Sequence, residues 1–362
     1  MEMNEQSYVY AGVTRWGGGG SQIPQPNTLG GVFRMPAQGG EWTHMMNGLP
    51  EVMHAHCITL HPQASNIVFI GTHVGVFRSD DHGANWRRMA LEPYDQQIWS
   101  IAFSPHDPNI MFAGASPIGM YKSEDGGASW LRVPGADFKV ADRLPMGNFR
   151  NRVMRIAINP NDALKISAAM EVNGAMGSED GGRTWNDRND ALIALSERPG
   201  MQSRILTDFD AEGMLDAHAL CMSLDGAYVY LACRMGIFRS ADNGLAWQDM
   251  LVGNSTSYRY GRDVRASKAE PGVLYACLSV KSHGETGSLQ RSDDGGKSWK
   301  RFDHGVQPHN TVMAVGLHDK RPELVYMAVR KGEIFGTQDA GRTWNAYPLP
   351  NGCDGTYCIA CG

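Results

Sequence analysis

The 362-residue sequence contains no apolar run near the roughly 18 residues needed to cross a bilayer. Its first residues, Met1 to Tyr10, have neither the basic segment nor the apolar segment of a secretory leader. The expectation from both absences is a cytoplasmic protein that does not span a membrane. Excess positive charge is also missing. Lys and Arg number 33 against 38 Asp and Glu, a net charge of −5, which argues against a general nucleic-acid binder. Cysteine is sparse and odd in number, at seven. Cys57, Cys221, Cys233 and Cys277 sit inside apolar, strand-like runs, where a free thiol behaves as a small hydrophobe. Cys353, Cys358 and Cys361 cluster, but without the spacing of a zinc knuckle.

What the sequence has in quantity is glycine, 43 residues of it, and much of that glycine recurs in one phrase. The phrase is clearest at Ser123-Glu124-Asp125-Gly126-Gly127-Ala128-Ser129-Trp130. It returns at Ser79 to Trp86, Ser178 to Trp185, Ser240 to Trp247, Ser292 to Trp299 and Thr337 to Trp344, with a degenerate copy ending at Trp42. Ser and Asp side chains can bond nearby backbone N–H groups, Gly supplies a positive φ, and Trp anchors the turn. Each copy lies between short apolar strands such as Gly75 to Arg78 and Trp86 to Met89, so each is read as a β-hairpin turn.

This phrase resembles the Asp box, or BNR repeat, of sialidases, sortilin-type receptors, xyloglucan hydrolases and photosystem II assembly factors. The resemblance implies an all-β propeller and says little about function, because the box is a structural turn in all of those families. Phe33-Arg34-Met35-Pro36 also looks like the sialidase motif whose arginine binds the sialate carboxylate. Arg34, however, falls in register with Arg78 and Arg239 and is expected to point to the box side. Six blades would suit a sialidase, and two propellers a xyloglucan hydrolase. Seven blades in one propeller suit neither.

The count of seven comes from the strand pattern, which places four strands, A to D from the centre outward, around each box. The expected blades are 54–91, 98–133, 152–189, 217–250, 261–303 and 310–348, with 1–48 plus 355–362 as blade one. The N-terminal part supplies strands B, C and D but no A. Tyr357-Cys358-Ile359-Ala360 matches the A pattern and is expected to pair beside Val9 to Ala11, closing the ring and removing exposed sheet edges.

That topology puts box turns and A-to-B turns on one rim, and B-to-C and D-to-A loops on the other. The long insertions 14–30, 134–151, 189–217, 253–261 and 279–287 collect on the second rim, the expected working face. The B strands end there at Thr14, His73, Ser116, Glu171, Arg234, Ser279 and Arg330, all of them polar. The A strands begin there with His54 and His56, Gln97 and Trp99, Arg152 and Met154, Tyr260 and Arg262, and Gly355 and Tyr357, with His218 and His309 close by.

A planar guanidinium grips a carboxylate or phosphate in two places. Arg15, Arg152, Arg234, Tyr260, Arg262, Arg330 and Tyr357 are therefore the expected binding residues for a small anionic, carboxylate-bearing ligand. His54, His56, Glu171, His218 and His309 are the candidate catalytic residues. Glu171 is either a general base or the salt-bridge partner of Arg234. His54 and His56, two apart on a strand, could present both imidazoles to one divalent metal, zinc or iron, with His73 as a further ligand; metal-free acid/base use and a structural role stay open. Loss of activity below about pH 6 is the expected sign of imidazole protonation. The two function classes are a small-molecule hydrolase or lyase and a non-catalytic binding or assembly propeller.

Overall fold

A computed structural model describes residues 6–14, 28–92, 96–134 and 151–362. Their strands form seven antiparallel sheets in chain order around a central channel, the expected seven-bladed propeller. Closure occurs as expected. Thr356–Cys361 pairs with Tyr8–Val13 in the register Tyr10 to Ala360 and Ala11 to Ile359, so blade one takes its innermost strand from the opposite end of the chain. Two features go beyond the sequence reading. Ala90–Glu92, just after the outermost strand of blade two, runs parallel to Ser129–Arg132 and gives blade three a fifth strand. Insertion 189–217 carries two short helices, α1 (Asp190–Ser196) and α2 (Glu212–Leu215), whose Leu192, Leu195, Met214 and Leu215 pack into the core between blades four and five. No helix among the described residues is long and apolar enough to cross a membrane.

The box turn is built from its own side chains. In blade three the Ser123 hydroxyl donates to Asp125 at 2.8 Å and accepts the Gly127 N–H at 2.9 Å. Asp125 in turn accepts the Ser129 N–H at 2.9 Å and the Ser129 hydroxyl at 2.6 Å. The fourth and fifth residues of the phrase have positive φ, 68° at Gly126 and 82° at Gly127, which explains the glycine there. These bonds favour the charged carboxylate. Asp180 and Asp339, hydrogen-bonded by Thr184 and Thr343, are held at about 2.

The boxes of blades two, three, four, six and seven also bond to the A-to-B turn of their own blade, as in Gly126 N–H to Asn109 O and Gly181 N–H to Leu164 O, so the two turn types do share one rim. Arg34 donates to the carbonyl of His82 in the box of blade two at 2.8 Å. It therefore faces the box rim as expected, on the side away from the insertions.

Branched aliphatics on the inner strands (Ile58, Ile101, Ile156, Leu220, Val264, Val315, Ile359) are buried between blades. Directly before them, every inner strand carries a β-bulge. The register slips by one residue at His56, Trp99, Met154, His218, Arg262, Met313 and Tyr357, in blades two to seven and then one. A bulge leaves its extra residue out of the ladder and re-aims the side chain. Repeated seven times around an axis, it aims seven side chains at one channel mouth.

Candidate functional site

Contacts between blades, some of them not neighbours, show where these side chains meet. Trp99 of blade three and Tyr357 of blade one stand edge to face at 5.8 Å. Arg262 of blade six lies 5.7 Å from the same tyrosine ring, and Arg330 of blade seven 5.8 Å from it. On the other side, His56 stacks on Trp99 at 3.8 Å, and the Arg152 guanidinium packs against that indole at 4.0 Å.

The first residue of each inner strand and the last of the strand beside it also meet at the mouth, because backbone bonds pair them. His73 N–H donates to His54 O, Glu171 N–H to Arg152 O, Arg234 N–H to Asp216 O, and Arg330 N–H to Thr311 O. Side chains follow the same pairing. Arg152 Nε lies 2.8 Å from Glu171, and Arg234 Nε 2.9 Å from Asp216. Glu171 is thus the partner of Arg152, with Arg262 at 3.9 Å, and not of Arg234 as the sequence reading allowed. The correction has a simple cause: each of these arginines and acids sits beside a partner in its own blade.

Asp216 was missed. It occupies in blade five the position of His54 in blade two, so Asp216-x-His218 matches His54-x-His56, and extending the inner-strand alignment through blade five would have found it. Its placement depends on the insertion. α2 leads straight into it, and Glu212, fully buried at the start of α2, accepts the N–H groups of Ile205, Leu206 and Thr207 and the Thr207 hydroxyl.

His218 is the centre of the polar chemistry. Its Nδ1 donates to the carbonyl of Gly261 at 2.7 Å, which leaves Nε2 facing the Tyr260 hydroxyl at 3.1 Å and an Asp216 oxygen at 3.2 Å. Burial raises the Asp216 pKa, but His218 and then Arg234 outweigh it and hold the carboxyl well below the usual carboxylate range. Burial pushes the Tyr260 phenol far up, so its proton stays on.

The charges do not balance. Among the described residues, four guanidinium groups, on Arg152, Arg234, Arg262 and Arg330, face two carboxylates. Arg330 has no acid beside it among the described residues; its Nε is buried without a partner, and Nη1 reaches only His283, at 3.5 Å. Burial, then Arg330, Arg262 and Lys281, lower the His283 pKa.

The remaining candidates separate. His54 packs edge-on against His73 at 4.8 Å and donates its N–H to His73 Nδ1. His56 turns to Trp99, with Nδ1 on Ile98 O at 3.1 Å. The bulge breaks the simple rule that residues two apart share a side. Among the described residues, the His, Cys, Asp and Glu ligand atoms close enough to share an ion are those of Glu171, Asp216 and His218, within 4.8 Å of one another; His54, His56 and His73 form no such group. His309 stands apart, exposed, 2.6 Å from Glu333, in a cleft of about 370 Å³ shared with Phe335 and Pro348. Arg15 lies outside the described residues, as do most of insertions 14–30 and 134–151.

Comparison with known proteins fits this architecture. Residues 290–301 match the BNR/Asp-box repeat family. The turn at residues 292–299 is thus a BNR/Asp-box repeat, and the other copies share its spacing. No curated protein matches the sequence. Among solved structures, the GH74 enzyme of Niastella koreensis superposes with a TM-score of 0.58 at 16% identity, over 82% of this Asp-box propeller and 45% of that chain. YCF48 bound to D1 peptide gives 0.52 at 16% identity, over 83% of each chain. The Cps50 (Swd1) propeller of Myceliophteria thermophila gives 0.58 at 12% identity, over 86% of this chain and 90% of that one. The chain spans less than half the length of the GH74 enzymes it resembles. At these identities the likeness is one of fold.

Proposed function

We propose that the channel mouth binds a small carboxylate-bearing anion and that the protein is a hydrolase or lyase acting on it through His218. The observation that carries this reading is four guanidinium groups facing two carboxylates around the His218–Tyr260 hydrogen bond. The excess positive charge calls for an anion, and Arg330, without an acid, is its first anchor. His218 Nε2 is the nitrogen that faces the reaction, because Nδ1 is committed to a carbonyl. With Nε2 protonated, it donates toward Asp216. With Nε2 unprotonated, it accepts the Tyr260 O–H. A proton leaves Nε2 for the Tyr260 oxygen as the Tyr260 proton passes to the ligand, so the phenol is restored in the same step.

No step is assigned to a metal. The one candidate ligand group among the described residues is already held by Arg152, Arg234 and Arg262, and a divalent cation would enter a cation-rich mouth. Glycosidase chemistry is not proposed either. It needs one carboxyl kept protonated, and Asp216 is driven the other way.

A second reading, a non-catalytic binding propeller, rests on the pairing of both carboxylates with arginines, which leaves neither free as a base. YCF48, similar in fold, is bound to a D1 peptide in its structure, and an anionic peptide end would suit the same arginines. Thermal-shift screening of carboxylates, phosphates and short peptides, followed by NMR of any stabilising compound for turnover, tests both readings. A small carboxylate that stabilises and is converted supports the enzyme. Stabilisation by peptides alone supports the second reading, and no stabilising anion would overturn both.

A further inference from the structure

Deeper in the channel lies a second charged group that the mouth does not explain. Asp263, one residue past the blade-six bulge and fully buried, accepts from Arg265 Nε at 3.2 Å to each oxygen and from Arg155 Nη2 at 3.3 Å. It also takes the N–H groups of Val264 at 3.1 Å and Val315 at 3.2 Å. Arg155 belongs to blade four, so its bond to blade six crosses the channel.

Two guanidinium groups therefore share one carboxylate whose acceptor capacity is already used. Arg155 Nε is buried without a partner, and the terminal nitrogens of Arg265 have no protein acceptor among the described residues. The side chains remain 21% and 33% accessible although they lie inside the ring, which means the channel beside them is open to a small solute. At the register of Arg265, the other inner strands carry Thr59, Ala102, Ala157, Cys221, Gly316 and Ala360, none large enough to fill that space. Water can satisfy the spare N–H groups, but it cannot neutralise the extra charge.

We propose that the channel holds a small monovalent anion of the halide class between Arg155 and Arg265, with Asp263 as the strut that sets the two guanidinium groups. The site is three residues along the strand from Arg262, roughly 10 Å inward. It is therefore distinct from the mouth and independent of any ligand there.

The test is a bromide soak of wild-type crystals with anomalous diffraction, together with melting in sodium chloride against sodium gluconate at equal ionic strength. An anomalous peak in contact with both guanidinium groups is expected, with a melting point about 1–3 °C higher in chloride. Arg265→Met leaves one guanidinium on one carboxylate, a balanced pair, and should abolish the chloride effect. An absence of anomalous density in the channel would overturn the proposal, and so would an unchanged chloride effect in Arg265→Met. The wild-type soak decides the matter even if the variant fails to fold.

Discussion

His218 and Tyr260 share a 3.1 Å hydrogen bond across two blades, and the backbone carbonyl next to Tyr260, that of Gly261, fixes the other nitrogen of the same imidazole. One strand end thus sets both the tautomer and the proton path. Tyr260→Phe keeps the ring and removes the path. In the proposed enzyme, turnover should fall about 10²- to 10⁴-fold with little change in ligand affinity, and the acid limb of the rate profile should shift. Unchanged turnover and pH profile would exclude the proton relay.

Arg330 is the mouth arginine without an acid among the described residues, so its contribution to an anion is undiluted by a competing ion pair there. Arg330→Ala should weaken binding by about 1.5–3 kcal/mol, the range for a hydrogen bond to a charged group, without lowering the melting point. Arg330→Lys should rescue only partly, since a point charge cannot replace a planar fork. Titration calorimetry with the stabilising anion measures both; equal affinity in wild type and Arg330→Ala would remove the anchor.

The fold was legible because the box announces itself chemically. Ser, Asp, Gly and Trp at fixed spacing admit one turn, and the missing inner strand at one end matched the surplus strand at the other. The mouth was legible in part. Alignment of strand ends identified Glu171, Arg234 and Arg330, but a bulge is invisible to a period-two pattern, so the expectation that His54 and His56 face one ion failed at the residue where the register slips. Asp216 lay in a helical insertion, where the alternation that guided the alignment stops. Arg155 and Asp263 sit one residue past the bulge, where the other inner strands carry Cys57, Ser100, Ala219, Ala314 and Cys358, and only the ring geometry shows that they meet.

Closure predicts how the ring fails. Thr356–Cys361 supplies the whole inner strand of blade one, and Tyr8 exchanges backbone bonds with Gly362. Deleting 353–362 would expose the buried edge of Tyr8–Val13 and open the channel. Cooperative melting should be lost, with a broad transition and dye-binding apolar surface. A truncated protein that melts like the full chain would refute closure as a stabilising device.

Acid should act in two stages. Burial, then the charge of Arg152, drives the His56 pKa well below its ordinary value, and burial lowers that of His73. The folded state then binds fewer protons than the unfolded one as pH falls below about 6.5, so stability declines from there downward. The window for charging His56 itself moves below the pH 6 expected from an ordinary imidazole. The box carboxylates, depressed to about 2 at Asp180 and Asp339, add a second loss. Their contribution is complete above about pH 4 and fades as pH falls toward 2. Denaturant midpoints measured from pH 8 to pH 2 should fall in these two steps, and His56→Gln should reduce the first. A midpoint that is flat from pH 7 to pH 5 would contradict the buried neutral histidines.

The last prediction concerns Glu212, which touches no ligand group yet holds the approach to Asp216. Its buried carboxylate gathers the N–H groups of Ile205, Leu206 and Thr207, and although burial raises its pKa, Thr207 and those backbone donors more than reverse the effect. Glu212→Gln would keep the shape but replace one accepting oxygen with an NH₂ group, setting donors against donors. A loss of about 1–3 kcal/mol is expected, concentrated in the insertion. Hydrogen exchange should rise at 203–209 while the blade strands stay protected. If α2 does position Asp216, the same variant should release Arg234 from its 2.9 Å partner and, with the competing carboxylate displaced, strengthen anion binding at the mouth. Faster exchange with unchanged anion affinity would confine Glu212 to holding its own loop; unchanged exchange would mean that the insertion is held by the packing of Leu192, Leu195, Met214 and Leu215 alone.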